Sequence, residues 1–304
     1  MNKKLQGWIL LVICNLIWSL QFTAIKLTQD QLGPYFTVWA SMCIAVILLS
    51  FFVIKNFKKN KRSIKDIVRT FLPLAALGSA PAQVLMNIGT RNSLASNAAI
   101  LSLILPVLTA LLAFLILKEK MTKIRWICFA IAIAGVALIS LDNIGKMDFG
   151  SGYVVGNLVI LLALLANAYY NVGCKRIAHR FTGMEMAFYS FIFIVMLLSP
   201  FVFFYEGNSF SQVHTFTSNT WIGLLTLSVF HYFLSMVLFF IAIKHLDATD
   251  AAFSNYLIPL FGVPIAVIWL NEKLYSNGII GGILVLLSML ILTIVETRKA
   301  NVKA

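Results

Sequence analysis

The chain has 304 residues, of which 60% are hydrophobic and only 12% are charged. An ordinary soluble domain has about 25% charged residues. This composition therefore excludes a water-exposed surface over most of the molecule and predicts that a lipid bilayer surrounds it. The net charge of +13 could indicate nucleic-acid binding, but the basic residues lie in short gaps between apolar runs. We interpret them as determinants of membrane orientation and expect no nucleic-acid partner.

Ten apolar runs follow one another along the chain, and most have about the 20 residues that a helix needs to cross a bilayer. In chain order they lie at about 8–28, 34–54, 69–89, 95–117, 124–141, 153–173, 184–205, 220–243, 249–270 and 277–296. We therefore predict an all-α integral membrane protein with ten transmembrane helices.

One of these apolar segments occurs twice. Residues 95–120 and 248–273 align without a gap and match at 8 of 26 positions. Both contain small residues, a central proline, an apolar run and a Glu-Lys end, which we interpret as a snorkelling, ion-pairing helix end. A weaker match relates the first and sixth runs, where Gly7 aligns with Gly156 and Trp18 with Asn167. These matches indicate an internal duplication.

The duplication divides the chain into two halves, 1–141 and 153–304, joined by a polar connector at 142–152. Each half contains five predicted spans. Because five is odd, the second half would enter the membrane upside down relative to the first. We therefore predict two inverted five-helix repeats, with the substrate site near the midplane where they meet.

Lysine and arginine counts predict the orientation. With a cytoplasmic N-terminus, 20 of the 24 Lys and Arg residues fall on the cytoplasmic side. The other four are Lys26, Arg91, Lys146 and Lys273. Positive charge is enriched in cytoplasmic loops, so we expect both termini in the cytoplasm.

These features together resemble the drug/metabolite transporter superfamily, of the EamA type. The resemblance rests on ten spans, two inverted halves, and a Pro-containing fourth helix with a Glu-Lys end that recurs as the ninth. The N-L-I-W-S-x-x-F-x-A-I-K stretch at 15–26 also resembles the first helix of the family. The resemblance implies a transporter of small metabolites, often an amino-acid or drug exporter, in a prokaryotic inner membrane. It also implies a central cavity lined by the first, third, fourth, sixth, eighth and ninth spans.

Polar side chains inside the spans are the candidate substrate-binding residues, because unpaired polar groups are costly in hydrocarbon. Two spans carry such groups on one helical face. They are Asn15, Trp18, Ser19 and Phe22 in the first span, and Asn167, Tyr170 and Asn171 in the sixth. These residues either line the cavity or make hydrogen bonds between helices.

His231 is the only ionisable residue that we place near the centre of a span, with Ser235 on the same face. It is either a neutral imidazole bonded to a neighbouring helix or a proton or substrate site, since its reference pKa is close to neutral. Protons are therefore a candidate coupling ion.

Pro106 and Pro259 lie at the centres of their helices. Each proline leaves the carbonyl four residues earlier without its helical partner, which concerns Ser102 and Asn255. We expect kinks there, and we add Ser102, Asn255 and the adjacent aromatic Tyr256 to the site. Gln83 and Asn87 of the third span follow Pro81 at i and i+4; they line the cavity or make structural hydrogen bonds.

The sequence carries no motif for an enzyme, a nucleotide-binding loop, a cofactor or a metal site. We therefore predict a secondary transporter, an exporter of small metabolites such as amino acids, that works by alternating access. Efflux of drugs or organic cations is the alternative. A non-transporting membrane scaffold or receptor, or a channel, are alternatives of other classes.

Overall fold

The computed structural model describes residues 3–60, 63–118, 122–140, 153–246, 254–274 and 276–303. All regular secondary structure in these ranges is helical, which confirms the all-α prediction. The first half contributes α1 (Lys3–Thr28), α2 (Pro34–Asn60), α3 (Ile64–Arg91), α4 (Ala95–Leu117) and α5 (Lys123–Ser140). The second half contributes α6 (Tyr153–Ile177), α7 (Gly183–Tyr205), α8 (Ser218–Ala242), α9 (Leu257–Leu270) and α10 (Ser276–Lys303).

Seven of these helices are long and apolar enough to cross a membrane, namely α1 to α4 and α6 to α8. The apolar parts of α9 and α10, Leu257–Leu270 and Ser276–Ile291, are shorter. These helices overlap the ten predicted runs, although α1, α2, α3 and α10 extend five to seven residues beyond them. The start of the ninth run, 247–253, lies outside the described residues. The count of ten membrane crossings stays a prediction, and the connector 142–152 also lies outside the described residues.

The most extensive helix contacts occur in pairs that are related by exchange of the two halves. Three contacts join equivalent helices: α2 with α7, α4 with α9, and α5 with α10. The contact of α3 with α6 corresponds to that of α8 with α1, and the contact of α4 with α6 corresponds to that of α9 with α1. The contact of α2 with α8 corresponds to that of α7 with α3.

Glycines allow the closest helix crossings, and these also occur in equivalent places. A Cβ atom at Gly135 of α5 would lie 2.7 Å from the carbonyl oxygen of Gly281 of α10. Likewise, Gly7 packs against Leu246 near the end of α8, and Gly156 packs against Asn92 and Ser93 at the end of α3. A larger residue at these positions would push the helices apart, because packed interiors accommodate extra volume poorly.

Contacts between helix ends define the two ends of the bundle. The end that we call the basic end contains the start of α1, the end of α8 and the connections that follow α2, α4 and α6. Its basic residues are Lys65, Arg69, Lys118, Lys123, Arg176, Arg180 and Lys244. The opposite end holds the connections that follow α1, α3, α7 and α9, with Lys26, Arg91 and Lys273.

Two carboxylates at the opposite end cap the N-terminal ends of helices. The first backbone N–H groups of a helix have no partner inside it. Glu272, just after α9, accepts hydrogen bonds from the backbone N–H groups of Ala95 (2.7 Å) and Ser96 (3.0 Å) and from the Ser96 hydroxyl (2.7 Å). Glu206, just after α7, accepts from the N–H of Phe36 at 2.5 Å. The interpretation of Glu272 as a snorkelling side chain is therefore wrong, whereas Glu119 and Lys120 lie outside the described residues.

We predict that Glu272→Ala destabilises the protein, because it leaves the start of α4 without its acceptor. Loss of a helix cap costs about 1 kcal/mol, and loss of a negative charge at a helix start costs up to about 1 kcal/mol more. Thermal unfolding in detergent, followed by tryptophan fluorescence, should show a melting temperature lower by a few degrees. Lys273→Ala, at an exposed neighbour, is the control. Equal melting temperatures for the two variants would contradict the capping role.

Candidate functional site

Three helices depart from α-helical geometry partway along their length and a fourth is preceded by a turn, which gives two equivalent pairs. In α3, Ala75–Ser79 forms a π-helical turn, and in α8 Thr226–Leu234 does the same. In α4, Ser102–Ile104 is a 3-10 turn, and a turn at 255–256 precedes α9. These interruptions bring irregular backbone to the interior of the bundle, as discontinuous helices do in transporters.

Prolines account for the second pair. Pro106 and Pro259 have no N–H to donate to the carbonyls of Ser102 and Asn255, and the α-helix is broken at both positions. The helix is thus interrupted where we expect kinks, but the two carbonyls are not free, because Ser102 O accepts from the N–H of Leu105 and Asn255 O from the N–H of Ile258. The π-helical turn of α8 contains no proline and was not predicted; its residues include His231.

Hydrogen bonds connect α1 to α8 and α9 at the predicted site. Asn15 donates from Nδ2 to the Ser254 hydroxyl at 2.9 Å, directly before the turn at Asn255 and Tyr256. Trp18 donates from Nε1 to the Ser235 hydroxyl at 2.9 Å, and Ser235 donates to the backbone carbonyl of His231. The polar face predicted in α1 thus contacts the predicted residues of α8.

A second connection links α8 to α3. The Tyr232 hydroxyl donates to Gln83 Oε1 at 2.8 Å, and the Tyr232 ring packs edge-on against Phe191 and His231 at centroid distances of 5.7 and 4.7 Å. His231 is 7% exposed. Trp18, Gln83, His231, Ser235 and their partners therefore form one group that spans α1, α3 and α8.

Nine buried polar side-chain atoms have no hydrogen-bond partner among the described residues, and two of them, Asn15 Oδ1 and His231 Nδ1, belong to predicted site residues. Leaving a buried polar atom unpaired costs about 1–3 kcal/mol, so such atoms in native proteins are rare and are often found where a protein binds a ligand or changes shape. Both atoms lie on faces that the sequence predicts to line the cavity.

The other predicted residues have different surroundings. Ser19 is fully buried and donates to the Leu16 carbonyl, Phe22 lies in the main hydrophobic core, and Ser102 donates to the Ala99 carbonyl. The Tyr170 hydroxyl is 3.0 Å from that of Ser190 of α7. Asn167, Asn171, Asn255 and Tyr256 are half-buried.

Asn87 accepts a structural hydrogen bond from Arg91, which is not among the predicted site residues. Arg91, one turn later, donates from Nε to Asn87 Oδ1 at 2.5 Å. The same guanidinium donates to the Leu32 carbonyl at 2.5 Å and to the Thr37 hydroxyl at 2.9 Å. Arg91 therefore ties the end of α3 to the α1–α2 connection, and its position at a helix end was its only sequence signal.

Two cavities lie at the ends of the bundle rather than at the predicted site. One of about 450 Å³ opens at the basic end, and one of about 710 Å³ opens at the opposite end beside Lys26, Asp30 and Glu272. No predicted substrate-binding residue lines either cavity. Asn15, Ser19 and Ser235 have no exposed surface, so the bundle is closed at these three residues, whereas Gln83, Ser102 and Asn171 are half-buried.

Comparisons with known proteins agree with this architecture. The chain is 27% identical over 278 residues to a probable terminal-alkyne amino-acid exporter of Streptantibioticus cattleyicolor, covering 90% of this chain and 89% of that one. It is 27% identical to the uncharacterized transporter YdfC of Bacillus subtilis, covering 88% of this chain and 84% of the relative. A solved crystal structure of 14% sequence identity has the same fold, with a TM-score of 0.61 over 96% of this chain and 98% of the other.

The model of the EamA-like transporter family matches the chain twice, at residues 5–141 and 154–294. The family and these relatives are transporters rather than enzymes. The chain is therefore a multi-pass membrane protein that belongs to the EamA-like transporter family.

Proposed function

We propose that the protein is a secondary transporter that exports small metabolites, such as amino acids, across the prokaryotic inner membrane by alternating access. The observation that carries this proposal is the group of irregular turns in α3, α4, α8 and before α9. One of them contains His231 and another directly follows Ser254, the hydrogen-bond partner of Asn15, so irregular backbone lies beside the unpaired atoms Asn15 Oδ1 and His231 Nδ1. In a bilayer such groups are tolerated only where protein or a water-filled cavity covers them.

The positions of two turns support the inverted arrangement of the halves. Glu272, which follows α9, binds the start of α4, whereas Lys118 ends α4. The turns after the equivalent helices α4 and α9 thus lie at opposite ends of the bundle. Rocking of one half against the other would open the closed centre alternately to each end cavity.

The composition of the site favours neutral or zwitterionic substrates. The fourteen predicted residues are amides, hydroxyls, aromatic rings and one imidazole, without a carboxylate, lysine or arginine. The amino-acid exporter among the relatives is consistent with this class of substrate. The rings of Trp18 and Phe239, at a centroid distance of 5.3 Å, support organic cations as the second candidate, since cations bind to aromatic faces.

The proposal is tested by counterflow of labelled amino acids in proteoliposomes, with and without a pH gradient. We expect uptake that exceeds empty liposomes and that saturates with substrate. Tetraphenylphosphonium in place of amino acids tests the organic-cation alternative. Absence of movement of every solute in both conditions would favour a membrane scaffold or receptor instead.

The orientation has a direct test by cysteine labelling. We expect a cysteine at Lys123 and a cysteine at Lys273, both exposed positions, to react with a membrane-impermeant maleimide from opposite faces in oriented vesicles. Lys123 should react from the cytoplasmic face. Reaction of both from one face would contradict the inverted arrangement.

Proton coupling through His231 predicts a change in pH dependence. If His231 takes up a proton during transport, wild-type transport varies between about pH 5.5 and about pH 8, the range in which a solvated imidazole titrates, and His231→Ala reduces transport and flattens this profile. His214→Ala, which changes an exposed histidine between α7 and α8, is the control. Normal transport by His231→Ala throughout this range would rule out the role.

The Trp18–Ser235 hydrogen bond predicts coupled effects, because it joins α1 to α8 in the closed centre. Trp18→Phe and Ser235→Ala should each reduce thermal stability, and the double variant should lose less than the sum. Hydrogen bonds between membrane helices contribute about 0.6 kcal/mol on average and about 1.7 kcal/mol at most. A double-mutant cycle measured by unfolding in detergent checks this, and fully additive losses would show that the contact contributes nothing.

A further inference from the structure

The cavity at the basic end has a wall that is chemically unlike the predicted substrate site. It lies between α3, α4 and α6. Its polar wall contains Asp66, Arg69, Thr70, Arg176 and Arg180. Three guanidinium groups thus face a single carboxylate, which leaves a local excess of two positive charges.

The carboxylate of Asp66 is already in an ion pair with Arg180. Arg180 Nη2 donates to both oxygens of Asp66, at 2.8 and 2.6 Å. In the described part of the chain, no carboxylate lies within ion-pairing distance of Arg69 or Arg176. These two side chains therefore provide the positive charge that an anion in this cavity would meet. Guanidinium groups suit phosphate because their donors match two of its oxygens at once.

Part of the remaining wall is apolar and exposed. It includes Pro73 and Leu74 of α3 and Ile116 of α4. Ile116 is 36% exposed, and Leu72, one residue before Pro73, is 38% exposed. In a membrane protein, such outward apolar surface contacts acyl chains. The cavity therefore opens sideways toward lipid as well as toward the basic end.

We propose that this cavity binds the headgroup of an anionic phospholipid. Arg69 and Arg176 bind its phosphate, and an acyl chain lies along Leu74 and Ile116. The apolar wall favours a lipid over a free anion, which would gain nothing from it. Basic pockets between transmembrane helices are known to hold anionic headgroups. The site is separate from the predicted substrate site, and it requires no transport activity.

The test is native mass spectrometry of the purified full chain with phosphatidylglycerol or phosphatidylcholine of identical acyl chains. We expect wild-type protein to retain phosphatidylglycerol at least about fivefold more tightly, a modest difference in binding free energy. Arg69→Gln/Arg176→Gln should remove this preference. Lys123→Gln/Lys244→Gln, which removes two exposed positive charges of the basic end outside the cavity, should keep it.

Several outcomes would overturn the proposal. Equal retention of the two lipids by wild-type protein would do so without any variant. Retention of the preference by Arg69→Gln/Arg176→Gln would place the lipid elsewhere. Loss of bound phosphatidylglycerol on addition of inorganic phosphate would show that the cavity binds free anions. Arg69→Lys/Arg176→Lys keeps both charges and should keep part of the preference, so a folding defect in the glutamine variant would be recognised.

Discussion

The structure depends on one constraint: a backbone polar group inside a bilayer needs a partner within the protein. Helices meet this requirement along most of their length. Where Pro106 removes an N–H, or where the π-helical turn of α8 shifts the pairing, the irregular backbone has to lie inside the bundle. This explains why the interrupted helices α3, α4, α8 and α9 pack on α1 or α6 rather than at the lipid-facing periphery.

The same constraint operates at the helix ends, with a different solution. At the opposite end, Glu206 and Glu272 of the second half bind the first N–H groups of α2 and α4 in the first half. Arg91 adds bonds to the α1–α2 connection. These contacts satisfy orphan backbone groups and also hold the two halves together. Any rocking motion that opens this end has to break them or carry them along.

The basic end is held differently. The ion pair between Asp66 and Arg180 at this end is partly exposed to solvent, with side-chain exposures of 38% and 43%. Exposed pairs contribute about 0–1 kcal/mol, whereas Glu206 and Glu272 are half-buried and each accept more than one hydrogen bond. A lipid headgroup in the cavity beside Asp66 would add an interaction to the basic end.

The amino-acid sequence by itself determined the features that depend on local chemistry. Hydropathy predicted the helices, because an apolar segment of bilayer length has to be helical in lipid. Proline position predicted the breaks at Ser102 and Asn255, because proline removes a hydrogen bond in any helix. Only the tertiary structure decided the partners of the polar groups. Trp18 and Ser235 lie 217 residues apart, and Glu272 lies 177 residues from the helix start that it caps. No periodicity encodes such pairs, since they depend on how the halves pack, and the same holds for the cavity that Arg69 and Arg176 share.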